Sequence, residues 1–206
     1  MIDYKIVEKL KDPFFLVIGA MDGISHDNLA PYIIKKRMSG IFIEPVKYMF
    51  NKLKINYQGF EGIRFENCAI TESDGFSKIK RIDFDNISNY PSWSDGGSSL
   101  LPEKTAMKSI SGLIEEQIET KTLETLLSKY PDVNKIDIIQ IDCEGYDLTI
   151  LKQIDLNKYR PYFISIEILS MSNIEIHETD SILRNNGYDT TNNGSEILAI
   201  NENNLL

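Results

Sequence analysis

The stretch Phe14-Phe15-Leu16-Val17-Ile18-Gly19-Ala20-Met21-Asp22-Gly23 decides the fold. Five apolar residues, rich in aromatic and β-branched types, run straight into a turn that holds two glycines. A short run of this kind closed by glycine reads as a strand buried on both faces of a parallel sheet. Gly19 and Gly23 bracket a tight strand-to-helix turn, where missing side chains admit a ligand and the next helix offers it free N–H groups. A nucleotide-like ligand suits such a turn. The bland alternative is that the two glycines only shape it.

Working outward, Ile41-Phe42-Ile43 reads as the second strand and ends on Glu44, 25 positions after Gly19. In α/β nucleotide folds an acid at the tip of the second strand accepts hydrogen bonds from ribose hydroxyls and repels a 2′-phosphate. The glycine turn and the acid together carry more weight than either alone.

A chain of 206 residues suffices for one well-developed core, and we expect one domain over 1–206 with a substrate-side insertion at about 84–105. The formal charge of -9 argues against a broad nucleic-acid or anionic-lipid surface, which needs clustered Lys and Arg. No apolar run reaches transmembrane length and no basic, apolar leader opens the chain, which predicts a cytosolic location without membrane insertion. Cys68 and Cys143 lack partners at metal-site spacing and sit in strand-like apolar surroundings, so they read as buried free thiols.

In chain order, Ile2, Ile6, Val7 and Leu10 share a helical face that Asp12-Pro13 ends. A helix within 25–38 is expected to start near Pro31, leaving Ser25-His26-Asp27-Asn28 as an ordered loop beside the ligand. Helical spacing returns over 46–53, 122–130, 146–154 and 176–186. Strands are expected over 63–70, 76–83, 136–141 and 162–166, with two more near Tyr188 and over 196–200. Residues 85–105 form a polar, glycine-rich loop with the only tryptophan, Trp93, which reads as a substrate lid. Alternating strands and helices predict a three-layer α/β fold with a mostly parallel sheet.

In such a sheet, acids at the carboxyl ends of strands converge although they are distant in sequence. Glu44, Asp142 and Glu167 hold such positions. Neighbouring carboxylates raise one another's pKa and supply a general base or a divalent-cation site at Asp142 and Glu167. Asp142 has a second reading as the cap of the following helix. His26 and His177 each precede an expected helix on the same edge and are candidates for proton transfer, or are exposed loop residues.

Several of these segments resemble the FkbM-type S-adenosylmethionine-dependent methyltransferases. The matching pieces are 17–25, Ile41-Phe42-Ile43-Glu44-Pro45, Phe65-Glu66-Asn67-Cys68-Ala69-Ile70, 122–127 and the block 136–147 with its Asp142-Cys143-Glu144-Gly145, in family order. The resemblance implies a Rossmann-like class I methyltransferase fold, a seven-stranded mostly parallel sheet with one antiparallel strand. It implies that Gly19, Ala20 and Gly23 line the methionine and ribose, that Glu44 holds the ribose hydroxyls, and that Asn67, Cys68, Ala69 and Ile70 flank the adenine. Many members carry an acid or Gln where this chain has Val17, which leaves Asp22 or Asp142 to orient the methionine end. The reaction implied is O-methylation of a sugar, nucleotide sugar or related polyhydroxylated small molecule. Asp142, Glu167 and His177 are then the candidate bases, with His26 behind them. A Mg ion bridging Asp142 and Glu167 is compatible with the pattern, and Trp93, Ser98 and Ser99 would contact the acceptor. Two rivals share the glycine turn. An NAD(P)-dependent oxidoreductase would need the third glycine that this chain lacks, and a non-catalytic binding module would have no use for the strand-end acids.

Overall fold

The computed structural model describes residues 2–91, 94 and 97–205. Strands β1 (Phe14–Ile18), β2 (Ser39–Ile43) and β3 (Ile63–Glu66) alternate with helices α1 (Ala30–Lys36) and α2 (Lys47–Asn56). Four strands of a second sheet follow: β4 (Ala69–Ile70), β5 (Gly75–Arg81), β6 (Ser98–Ser99) and β7 (Ile114–Lys121). After α3 (Leu123–Ser128) come β8 (Ile138–Ile141), α4 (Asp147–Leu151), α5 (Leu156–Tyr159) and β9 (Phe163–Glu167). Helix α6 (Asn173–Asn185) and strands β10 (Asp189–Asn192) and β11 (Glu196–Ile200) close the fold.

The first sheet has seven strands in the order β10-β11-β9-β8-β1-β2-β3. Strand β11 is antiparallel to both neighbours, and the pairs from β9 through β3 are all parallel, as the sequence predicts. The alternation of side chains along each strand splits the core into two apolar layers. Leu16, Ile18, Ile139, Ile141 and Ile164 face α3, α4 and α6 on one side. Phe15, Val17, Phe42, Ile138 and Phe163 face α1 and α2 on the other. Within the second layer the rings of Phe15 and Phe42 lie 4.7 Å apart, and those of Phe42 and Tyr57 4.8 Å. Truncating one of these buried rings to alanine should cost about 3–5 kcal/mol.

Local signals set the helix boundaries. Pro31 falls in the first turn of α1, where its missing N–H is needed by no partner. Thr122 caps α3 through the Thr125 N–H, and Ser172 with Glu175 forms a reciprocal capping box at the start of α6. The N-terminal segment is a 3-10 turn over Tyr4–Lys9 that buries Val7.

Three expectations need correction. The strand expected over 63–70 is two strands: Asn67 and Cys68 interrupt it, and Ala69–Ile70 leaves the first sheet to pair with β7. Residues 114–121 carry no strand expectation, yet β7 is the spine of the second sheet, ordered β4-β7-β5-β6. Its sequence Ile-Glu-Glu-Gln-Ile-Glu-Thr-Lys is too polar to advertise a strand, and only Ile118 and Thr120 are buried. The segment 85–105 is also more structured than a loop. It contains 3-10 turns at Phe84–Asn89 and Pro102–Lys104 and the short strand β6.

Candidate active site

Register brings the strand-end residues together. Ile18 pairs with Ile43 on one side and Ile141 on the other, and Ile141 pairs with Ile166. The residues that follow, Glu44, Gly19, Asp142 and Glu167, therefore form one row across four adjacent strands, about 4.8 Å per step. A cavity of about 420 Å³ opens above this row, and all four residues line it.

The glycine turn is bound tightly to the sheet. Gly19 and Ala20 donate their N–H groups to the Ile43 carbonyl at 3.0 Å, and Asp142 donates to the Ile18 carbonyl at 3.0 Å. Gly19 has φ +83°, and a Cβ there would stand 1.8 Å from the Asp142 carbonyl oxygen. Gly23, at φ +75°, would meet Leu53 and Tyr57 within 2.6 Å, and the Tyr57 hydroxyl donates to its carbonyl at 2.7 Å. Both glycines are thus required by this chain's own packing, and Gly23 faces α2 rather than the cavity.

Glu44 is buried, with a relative exposure of 4%. Its Oε2 accepts the Met21 N–H at 2.9 Å and its Oε1 accepts the Val46 N–H at 2.7 Å, so the tip of β2 holds the glycine turn directly. Burial pushes its carboxyl up to about 8 despite these two bonds. The residue also lines the cavity.

Opposite Glu44 the acids crowd. Asp142 is exposed to the cavity, and its carboxyl is held well above the usual range, first by the surrounding protein and then by Asp147, Glu167 and Glu144. Glu167 accepts the Leu169 N–H through Oε1 at 2.8 Å, while its Oε2 is buried without a partner. Burial, then Asp147 and Glu144, push it up to about 7. Helix α4 is not capped by Asp142. Asp147, fully buried, accepts the N–H groups of Cys143 at 2.8 Å and Gly145 at 3.0 Å, and so tightens the turn between β8 and α4.

The second sheet contributes Ile79 and Ser98 to the cavity wall, and the segment after β6 adds Leu100 and Met107. This side is fastened where the Ser99 hydroxyl donates to the Glu144 carbonyl at 2.9 Å and Lys104 pairs with Glu175 at 3.3 Å. Three non-glycine residues of the cavity wall, Met21 (φ +49°), His26 (φ +58°) and Glu144 (φ +49°), hold left-handed backbone conformations. Each costs about 1–2 kcal/mol, a kind of strain that gathers at functional sites.

The remaining expected residues divide. Cys68, Ala69, Ser98, Ser99 and His26 line the cavity, and burial pushes the Cys68 thiol up to about 12. Ala20 is packed in the apolar layer beneath the turn. Asn67 donates through Nδ2 to the carbonyls of Glu44 and Pro45 at 2.9 Å, bracing the β2 tip instead of lining the cavity. Asp22 staples its own loop through the N–H groups of Ile24 and Ser25 at 3.0 and 2.7 Å. These bonds outweigh burial and hold its carboxyl below the usual range. His177 is exposed within α6 and is not part of the cavity wall, because the helix begins at Asn173 and turns that position outward. Trp93 lies outside the described residues. Among the described residues no group of three or more His, Cys, Asp or Glu is placed to hold a metal ion, so the Mg expectation gains no ligand set. No helix among them is long and apolar enough to cross a membrane. Sequence reasoning missed Glu144 and Asp147, although both stand inside the Asp142–Asp147 block.

Comparison with known proteins gives the family and the fold. The family model described as the methyltransferase FkbM domain matches residues 18–190. Methyltransferase sdnD of Sordaria araneosa is 23% identical over 94% of this chain and 80% of its own length. The crystal structure of methyltransferase FkbM from Methylobacillus flagellatus KT superposes with a TM-score of 0.55 at 16% identity. That match covers 93% of this chain, which spans 44% of the neighbour's length. The protein belongs to the FkbM methyltransferase domain family and has the α/β fold of class I methyltransferases.

Proposed function

We propose that the protein moves a methyl group from S-adenosylmethionine to a hydroxyl oxygen of a sugar or related polyhydroxylated small molecule. The observation that carries this reading is the row Glu44, Gly19, Asp142 and Glu167 beneath one cavity, with Glu167 Oε2 buried and unpartnered. The wall suits the donor. Glu44 has lone pairs for ribose hydroxyls, and Asp142 and Glu144 offer carboxylates to a ligand with a sulfonium and an ammonium. A volume of about 420 Å³ lies within the span of about 300–1,000 Å³ common to small-molecule sites.

When bound, S-adenosylmethionine supplies an electrophilic methyl group. The protein's own task is alignment and proton removal. Glu167, held by the Leu169 N–H on Oε1 and part of the cavity wall, is the base that takes the hydroxyl proton of the acceptor. A carboxyl at about 7 is half ionised near neutral pH, the condition in which a general base is most effective. Ser98 supports a hydroxyl-rich acceptor with a further hydrogen-bonding group.

The test is calorimetric titration with S-adenosylhomocysteine. The unmutated protein should bind it, and Glu44→Ala should weaken binding by about 10- to 100-fold, since that change also strands the buried N–H groups of Met21 and Val46. Absence of binding by the unmutated protein would overturn the proposal. A methylation assay over a sugar panel, run with magnesium and with a chelator, then decides acceptor and metal dependence.

A further inference from the structure

Among the described residues, the charged side chains of the cavity wall are four carboxylates, Glu44, Asp142, Glu144 and Glu167, with His26 the one imidazole. The six residues outside the described set include no lysine or arginine. Two lysines that border the site are already committed. Lys104, whose Cβ would lie 3.7 Å from a Cβ on Gly145, pairs with Glu175 at 3.3 Å. Lys121, near Cys68, pairs with Glu119 at 3.0 Å.

Building on the methyl-transfer reading, we infer that the acceptor enters this cavity neutral or positively charged, as a hydroxyl- or amine-bearing molecule without phosphate or diphosphate. A nucleotide sugar or sugar phosphate would have to desolvate its anionic oxygens against a wall of acids with no cation in it, and such a buried charge is stable only when paired. Like charge in the wall also slows the approach of an anion and favours that of a cation. All four carboxyls are held above the usual range, burial being the largest cause for each. A cation entering the cavity therefore draws them into the ionised form and releases protons to solvent, whereas an anion meets no cationic side chain. The preference for cations grows as pH rises and the carboxylates ionise.

Cys143, half-buried in the same wall, is a native reporter of this field. The unmutated protein is treated at pH 8.5 and low salt with two methanethiosulfonates, one carrying a trimethylammonium group and the other a sulfonate. Each reaction forms a disulfide to Sγ, expels methanesulfinate and gives the thiol proton to solvent. Peptide mapping by mass spectrometry separates Cys143 from Cys68, and rates are normalised to a free cysteine peptide. The cationic reagent should modify Cys143 at least about ten-fold faster, and the ratio should shrink in about 0.5 M salt. Glu144→Gln should reduce the ratio. A ratio of one or below, or one unmoved by salt, overturns the inference. Calorimetry with S-adenosylhomocysteine separates the two proposals. Ligand binding with a ratio of one or below defeats only the acceptor polarity, and a high ratio without ligand binding defeats only the methyl-transfer reading.

Discussion

Replacing Gly19 with alanine tests the spatial logic of the site most directly. Two costs follow from the structure. A side chain at φ +83° carries the left-handed penalty of about 1–2 kcal/mol. The new Cβ would also lie 1.8 Å from the Asp142 carbonyl oxygen, well inside contact distance. Relief requires β1 and β8 to part at their carboxyl ends, weakening the Asp142 N–H bond to the Ile18 carbonyl. Overpacking and strained hydrogen bonds add about 2–3 kcal/mol, for a total of roughly 4 kcal/mol. Gly59 is the control: it has φ +82° but nothing within 4 Å of its added Cβ, so Gly59→Ala should carry the backbone penalty alone. Urea unfolding is the assay. With a slope of about 2–3 kcal/mol/M, the Gly19→Ala midpoint should fall by roughly 1.5–2 M, and that of Gly59→Ala by less than about 1 M. Equal losses in the two variants would show that the turn does not press against β8, and the row of strand-end residues would lose its foundation.

Glu167→Gln should lower kcat/KM for the acceptor by about 10²–10³-fold while leaving S-adenosylhomocysteine affinity within a few-fold, and should remove a titration near pH 7 from the rate profile. His177→Ala should change turnover by less than about two-fold, since that residue lies outside the cavity wall; a larger loss in steady-state assays would return it to the reaction. Stability should depend on pH with a definite sign. Glu44 and Glu167 are raised from 4.5 to about 8 and about 7, so the folded protein holds protons that the unfolded chain has lost. Their contribution is fully present below about 4.5 and is lost as pH rises through 7 and 8, so the urea midpoint should fall over that window. A midpoint that climbs from pH 5 to 8 would contradict the crowding of carboxyls described here.

The central strands β1, β2, β8 and β9 of the first sheet were legible because they are largely apolar runs ending in glycine or acid, a pattern that reports burial on both faces. The second sheet was not. It is built around a strand with three glutamates and a glutamine, whose outward side chains are matched across the pair, as in the Lys78–Glu115 contact at 2.8 Å. Such a strand is specified by its partner's register, and a single sequence contains no statement of register. Asn67 shows the same limit from another side. The family resemblance implied an adenine contact for it, but its side-chain amide donates to the Glu44 and Pro45 carbonyls.

Asp142 and Asp147 are the instructive pair at the site. Directly after a strand and shortly before a helix, Asp142 had two readings, an acid of the site and the cap of that helix. The backbone between the two aspartates decides against the cap. Glu144 at φ +49° and Gly145 at φ +98° turn the chain through two consecutive left-handed residues, which delays the start of α4 until Asp147. The Asp147 carboxylate then turns back to the N–H groups of Cys143 and Gly145 and holds that turn closed. Because the second aspartate satisfies the backbone, the first is left with its carboxylate open to the cavity, beside Glu167 and across from Glu44. Glu-Gly at 144–145 was the visible cue, since glycine accepts the left-handed region freely and marks where a helix has not yet begun. One buried carboxylate spent on local structure is thus what frees the other for a ligand.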